Sequence, residues 1–194
     1  MQSIYILISS ILVFISYLIY EWSIVTGRTK PHRTTRFVLL LITALGAASL
    51  FAQQDRVAIW LIGISAVQSV VVFALSFKWG MGGWDKSDLA CLAIALVGIV
   101  VWKITDDPAL GLYASVAADL AGMLPALLKT YRQPHTEYWM SYIFDIAAAG
   151  FTLLAISAWQ PQGYLYPMYI FVVNLVMLLF ILRPKISKLL QHKS

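Results

Sequence analysis

The sequence predicts an all-α membrane protein of seven transmembrane helices. They form two parallel three-helix repeats joined by a linker helix, with the N-terminus outside and the C-terminus inside. Three observations carry this expectation. Of 194 residues, 60% are hydrophobic and only 12% are charged, about half the charged share of an ordinary soluble domain, which is roughly 25%. Seven apolar runs follow one another with only short polar or Pro/Gly breaks between them. A Pro-His pair, with basic residues before it and an apolar run after it, occurs twice.

The runs fall at about 3–25, 36–53, 57–77, 88–104, 109–131, 138–159 and 165–183, each near the roughly 20 residues that span a bilayer as a helix. The first lacks a positive leading region and a small-residue cleavage site, so it reads as a membrane helix rather than a cleavable signal. The breaks are "GRTKPHRTT", "AQQDR", "KWGMGGWDKS", "TDDP", "RQPHTE" and "QPQG". Loops this short favour an up-and-down bundle and leave no room for a separate soluble domain.

Orientation follows from the positive-inside rule, which counts Lys and Arg in short loops. With the N-terminus outside, the inner side holds twelve basic residues: Arg28, Lys30, Arg33, Arg36, Lys78, Lys86, Lys129, Arg132, Arg183, Lys185, Lys188 and Lys193. The outer side holds two, Arg56 and Lys103, which completes the fourteen in the chain. The net charge of +5 is thus a matter of topology and forms no single block, so no nucleic-acid partner is expected.

Pro31-His32 and Pro134-His135 lie 103 residues apart, and the same offset aligns Leu50 with Leu153 and Ala52 with Ala155. Each pair follows the first span of a triplet. The expected organisation is therefore a first repeat over 1–80, a linker helix over 81–107, and a second repeat with its basic tail over 108–194. Three spans reverse direction, and the extra span restores it. Parallel repeats of this kind place a solute site between them near mid-membrane.

The stretch "DLAGMLPALLKTYRQPHTEYW" resembles the signature of the SWEET and PQ-loop proteins: a helix-breaking Pro125, basic Lys129 and Arg132, and an inner loop ending in Glu137. Ala126 stands where the family carries Gln, Trp22 holds the matching place in the first repeat, and the literal Pro161-Gln162 is expected in an outer loop. The resemblance implies a carrier that moves a small polar solute (a sugar, an amino acid or a related metabolite) by alternating access, with proton coupling left open. A non-transporting receptor or adaptor of the same architecture, binding a peptide or protein partner, is the alternative, because fold does not fix function. In SWEET-like proteins an Asn on spans 3 and 7 faces the solute. Asn174 matches that pattern, and Gln68 matches it loosely.

The residues themselves add candidates. Asp119 lies about 15 Å into span 5 and Asp145 about 10 Å into span 6, at 1.5 Å per residue. An acid at such depth costs at least ~2.5–3.5 kcal/mol, so it should face the bundle interior. There it either exchanges a proton or binds a cationic solute group, or it is a neutral acid bonded to a helix backbone or to Tyr113, Tyr142 or Ser141. The amides of Gln68 and Asn174 suit solutes that present hydroxyls, or bond between helices. Tyr17 and Tyr142, with Trp139, offer ring faces. Trp22, Trp60, Trp139 and Trp159 fit an interfacial aromatic belt. Pro125 is a hinge or a static bend. Pro167 is expected to start span 7, Asp88 to cap span 4, Glu21 to pair with Arg28 or the basic loop, and His32 and His135 to be solvated.

Other chemistry is excluded. Cys91 is the only cysteine, which rules out disulfides and cysteine-cluster metal sites. "KWGMGGWDKS" lacks phosphate-loop spacing. No metal-ligand cluster or nucleophile–base constellation marks an enzyme, and no cofactor or metal is expected. Lys185, at the inner end of span 7, cannot serve as a mid-span retinal lysine. The expected partners are the solute, the lipid bilayer, protons if transport is coupled, and a second copy in a homodimer. A bacterial inner membrane is the expected location.

Overall fold

The computed structural model describes residues 2–52, 56–83, 86–104, 108–157 and 160–191. Among these the regular elements are all helical: α1 (Gln2–Val25), α2 (Arg33–Ala52), α3 (Arg56–Trp79), α4 (Lys86–Ile104), α5 (Pro108–Arg132), a 3-10 turn (Pro134–Thr136), α6 (Trp139–Leu154) and α7 (Pro161–Gln191). The first five agree with the apolar runs to within a few residues. The last two differ. α6 stops at Leu154, and α7 opens at Pro161. Pro161 has no N–H to satisfy, which suits a first helical turn, and the Gln160 carbonyl accepts the N–H groups of Gly163 and Tyr164. The Pro-Gln pair expected in a loop therefore starts a helix, and Pro167 lies inside it. Trp159 and Lys193 lie outside the described residues.

Two of the described helical stretches are long and apolar enough to cross a membrane, Gln2–Val25 and Gly163–Pro184. Ser65–Trp79, Asp88–Val97 and Trp139–Leu154 are shorter apolar helices. The polarity is inverted relative to a water-soluble domain. On α1 the exposed face carries Ile11, Phe14, Leu18 and Val25, whereas Ser9, Ser16 and Ser23 are buried. Ile, Leu, Val and Phe left in water would forfeit about 25 cal/mol per Å², and soluble monomers rarely expose such continuous patches.

The chain divides into two compact units. One contains Met1–Thr29 and Leu127–Ser194, and the other contains Lys30–Ala126. α5 contributes to both, and the division falls one residue after Pro125.

In the first unit α1 packs on α6, and α6 on α7. Ser9, Ser16 and Ser23 recur every seven residues, two turns apart on one helix face. Ser9 Oγ donates to the Ala148 carbonyl at 2.9 Å and shares a hydrogen bond with Thr152 Oγ1 at 2.8 Å. Ser16 Oγ donates to the Ser141 carbonyl at 3.1 Å. Ala148 and Ala149 are buried beside them. Small side chains let backbones approach closely, and hydroxyls then bond across the seam.

α1 ends in a Schellman turn. The Arg28 N–H reaches the Ser23 carbonyl at 2.8 Å, the Gly27 N–H reaches the Ile24 carbonyl at 2.9 Å, and Gly27 takes φ +74°. This is the left-handed C′ position that glycine fills without strain.

The second unit has a small core of Val38, Ala95 and Ala121, with Ile42 and Leu92 against it. Gly122 lets α5 approach α2 closely: a Cβ there would fall 2.5 Å from Val38 Cγ1. Arg33 closes the end of α3 by donating to the carbonyls of Ser76, Gly80 and Gly82. Next to it His32 is buried rather than solvated, with Nε2 3.6 Å from Asp88 Oδ2. Asp88 also accepts the Gly83 N–H at 3.1 Å. It therefore ties the loop before α4 to the loop before α2 and is no simple cap. His135 is exposed.

Gly122→Ala should destabilise the protein by about 1–3 kcal/mol through overpacking against Val38. Adding Val38→Ala should recover only part of that loss, because the Val38 Cβ itself stands 3.0 Å from the added carbon and two buried methyl groups are lost. A denaturant titration in detergent micelles measures both.

Candidate functional site

The end of α5 and the start of α6 build a charged site in the first unit. The Gln133 N–H donates to the Lys129 carbonyl at 2.7 Å, completing α5. Pro134 cannot continue that pattern and opens a 3-10 turn. The N–H and hydroxyl of Thr136 both return to the Gln133 carbonyl, at 3.1 and 2.7 Å. Glu137 then takes an extended conformation, φ −131° and ψ 142°. This reversal folds its carboxylate back over the helix just completed. Oε1 meets the Lys129 ammonium, and Oε2 accepts the Tyr142 hydroxyl at 2.9 Å. The Lys129 and Glu137 side chains are only 5% and 2% exposed, and Tyr142 is buried.

Each carboxylate oxygen therefore has a donor. That matters because an uncompensated buried charge is strongly destabilising, whereas a paired and hydrogen-bonded one roughly breaks even. Tyr142 adds a hydrogen bond to a charged acceptor, about 1.5–3 kcal/mol. The triad sets an ammonium on one oxygen of a buried carboxylate and a phenol hydroxyl on the other.

The following residue is anchored as well. The Tyr138 N–H donates to Thr29 Oγ1 at 3.1 Å, and the same oxygen accepts Ser23 Oγ at 2.7 Å. Thr29 is fully buried. One hydroxyl thus joins the turn after α1 to the N-terminus of α6.

The residues singled out in the sequence divide between the units. Tyr17, Tyr142, Asp145 and Asn174 belong to the first, and Gln68, Asp119 and Pro125 to the second. On α6, Asp145 lies in the Ser141–Ala148–Thr152 register that faces α1, and it is half-buried. Tyr17 is half-buried next to Ser16. Asn174 is half-buried on α7 and donates from Nδ2 to the carbonyl of Ile170 at 2.8 Å, so one amide proton serves its own helix. Asp119 is 5% exposed, Pro125 is buried, and Gln68 is half-buried. Asp119 and Asp145 are both engaged by neighbouring groups.

Sequence reasoning assigned Lys129 to topology and Glu137 to a motif boundary, and missed them as a pair. The signal was present: two opposite charges eight residues apart, on either side of a proline, each bordering an apolar helix. Arg28, one of the partners expected for Glu21 alongside the basic loop, lies over the rings of Trp22 and Tyr138.

No protein-family model, curated protein sequence or solved structure matches this chain.

Glu137→Gln should destabilise the protein by about 3–5 kcal/mol, the usual effect of leaving one member of a buried pair alone. Lys129→Met with Glu137→Leu should be milder than either single change. A double-mutant cycle read by denaturant titration tests the coupling. Thr29→Val, which leaves the Tyr138 N–H without its acceptor while Ser23 Oγ keeps the Tyr20 carbonyl at 2.6 Å, should cost about 1–3 kcal/mol in the same assay.

Proposed function

We propose that this chain is a multi-pass membrane carrier for a small polar solute such as a sugar, an amino acid or a related metabolite, working by alternating access. In this reading the seven helices cross the bilayer in three-plus-one-plus-three order, with the N-terminus outside, in a bacterial inner membrane. The observation that carries it is the inverted polarity of the helices. Their outward faces are Ile, Leu, Val and Phe, while Asp119, Lys129, Glu137, Tyr142 and a series of Ser and Thr are buried. Ionisable groups inside an apolar shell are expensive and by default mark a solute or ion pathway. The twelve-to-two distribution of basic residues and the 103-residue repeat support the topology. The likeness of "DLAGMLPALLKTYRQPHTEYW" to the PQ-loop signature supports the family reading.

Asn174, Gln68, Asp119, Asp145, Tyr142 and Tyr17 are the proposed solute contacts, and Pro125 is the proposed hinge. Buried next to the Ala121 carbonyl that it leaves without an intrahelical donor, Pro125 marks a weak point in α5.

Flux into proteoliposomes, assayed across sugars, amino acids and organic cations with and without a proton gradient, tests the proposal. At least one class should move. If none moves under either direction of the gradient, the carrier reading gives way to a receptor or adaptor. Asp119→Asn should preserve binding while flattening the pH dependence of flux; an unchanged pH profile removes Asp119 from any proton role.

A further inference from the structure

We propose that Arg28, held on the rings of Trp22 and Tyr138, binds the phosphate of an anionic phospholipid. The proposal rests on the membrane reading above and adds a specific lipid contact to it. The Schellman turn at Gly27 reverses the chain immediately after α1, so that Arg28 returns over the last turn of the same helix. Its guanidinium carbon lies 4.5 Å from the centre of the Trp22 ring and 5.4 Å from that of Tyr138. The two rings meet edge to face at 5.9 Å. The Tyr138 main chain is anchored by its N–H bond to the buried Thr29.

Among the described residues no carboxylate pairs with Arg28. Cation–π contact with Trp22 and Tyr138 makes no demand on the guanidinium N–H groups, which suit a forked, bidentate acceptor, the geometry of a phosphate. Holding the side chain in place beforehand also reduces the ordering that binding requires. Arg183 makes a useful contrast. Its guanidinium carbon also lies over a ring, 4.3 Å from the Tyr131 centroid, but its Nη2 donates to the Tyr131 carbonyl at 2.9 Å. Arg183 closes a helix end; Arg28 has no such internal duty.

A phospholipid fits better than free phosphate because of what lies next to the cation. Phe14, Leu18, Trp22 and Val25 are all exposed and share one face of α1, an apolar track that ends at Arg28. An acyl chain on that track and a phosphate at its end match one amphiphile. The half-exposed Trp22 suits headgroup depth.

Trp22 itself reports on the site. Fluorescence quenching by brominated phosphatidylglycerol in a phosphatidylcholine background, and by the reverse mixture, is measured on the full-length protein in vesicles. The Trp22 signal is the difference between wild type and Trp22→Phe. Wild type should show a roughly fivefold preference for phosphatidylglycerol, the ratio set by about 1 kcal/mol for one basic group at an anionic surface. Arg28→Gln should abolish the preference, and Arg28→Lys should keep part of it. Arg132→Gln, an exposed charge lost from the same unit, should leave it intact. Added inorganic phosphate should not compete. Equal quenching by both lipids in wild type overturns the lipid site and leaves the membrane reading standing. An equal loss in Arg132→Gln, or displacement by inorganic phosphate, also overturns it, in favour of bulk attraction or a free-anion site respectively. No quenching of Trp22 by either lipid overturns both readings.

Discussion

Close approach through small residues, completed by hydroxyl-to-carbonyl hydrogen bonds, holds α1 against α6, and the rest of that unit is arranged around the seam. Ser9 and Ser16 meet the backbone of Ala148 and Ser141 directly. A large apolar residue at either position would separate the helices and remove the bond together. The seam therefore does not depend on driving apolar surface out of water, a force that vanishes where the surroundings are hydrocarbon. The exposed Leu, Ile and Phe on the opposite face of α1 are the other half of the same arrangement.

The polar ends of this unit follow the same logic at higher stakes. Lys129, Glu137 and Tyr142 satisfy one another, and Thr29 serves as acceptor for both Ser23 and the start of α6. Of these bonds, the one from the Tyr138 N–H to Thr29 spans 109 residues of sequence, and it fixes the register of α1 against α6 where the seam ends. A partly satisfied network of this kind would be worse than an apolar one. Its completeness explains how a lysine and a glutamate can remain buried in a chain so poor in charge.

Much of this was legible in the sequence, and the rest was hidden for identifiable reasons. Long apolar runs between short polar breaks fix helix existence, and α1 to α5 follow them closely. The end of α6 and the start of α7 were misplaced because Pro161-Gln162 looks like a break, whereas proline is welcome in a first helical turn. His32 was read as solvated because loop position says nothing about burial; its pairing with Asp88 depends on two loops about 50 residues apart. Deep acids such as Asp119 stand out from an apolar background, whereas Lys129 and Glu137 were masked by neighbouring charges that serve topology. The packing of α1 on α6 leaves no local trace, apart from the seven-residue spacing of three serines.

That packing has a consequence in time. α1 ends at Val25 and its partner begins at Trp139. At ribosomal speeds of about 5–20 residues per second, the serine face of the first helix must wait on the order of ten seconds before its acceptors are synthesised. Throughout that interval Ser9 and Ser16 lack the carbonyls they meet on α6, whereas Ser23 already has the Tyr20 carbonyl and Thr29 within reach.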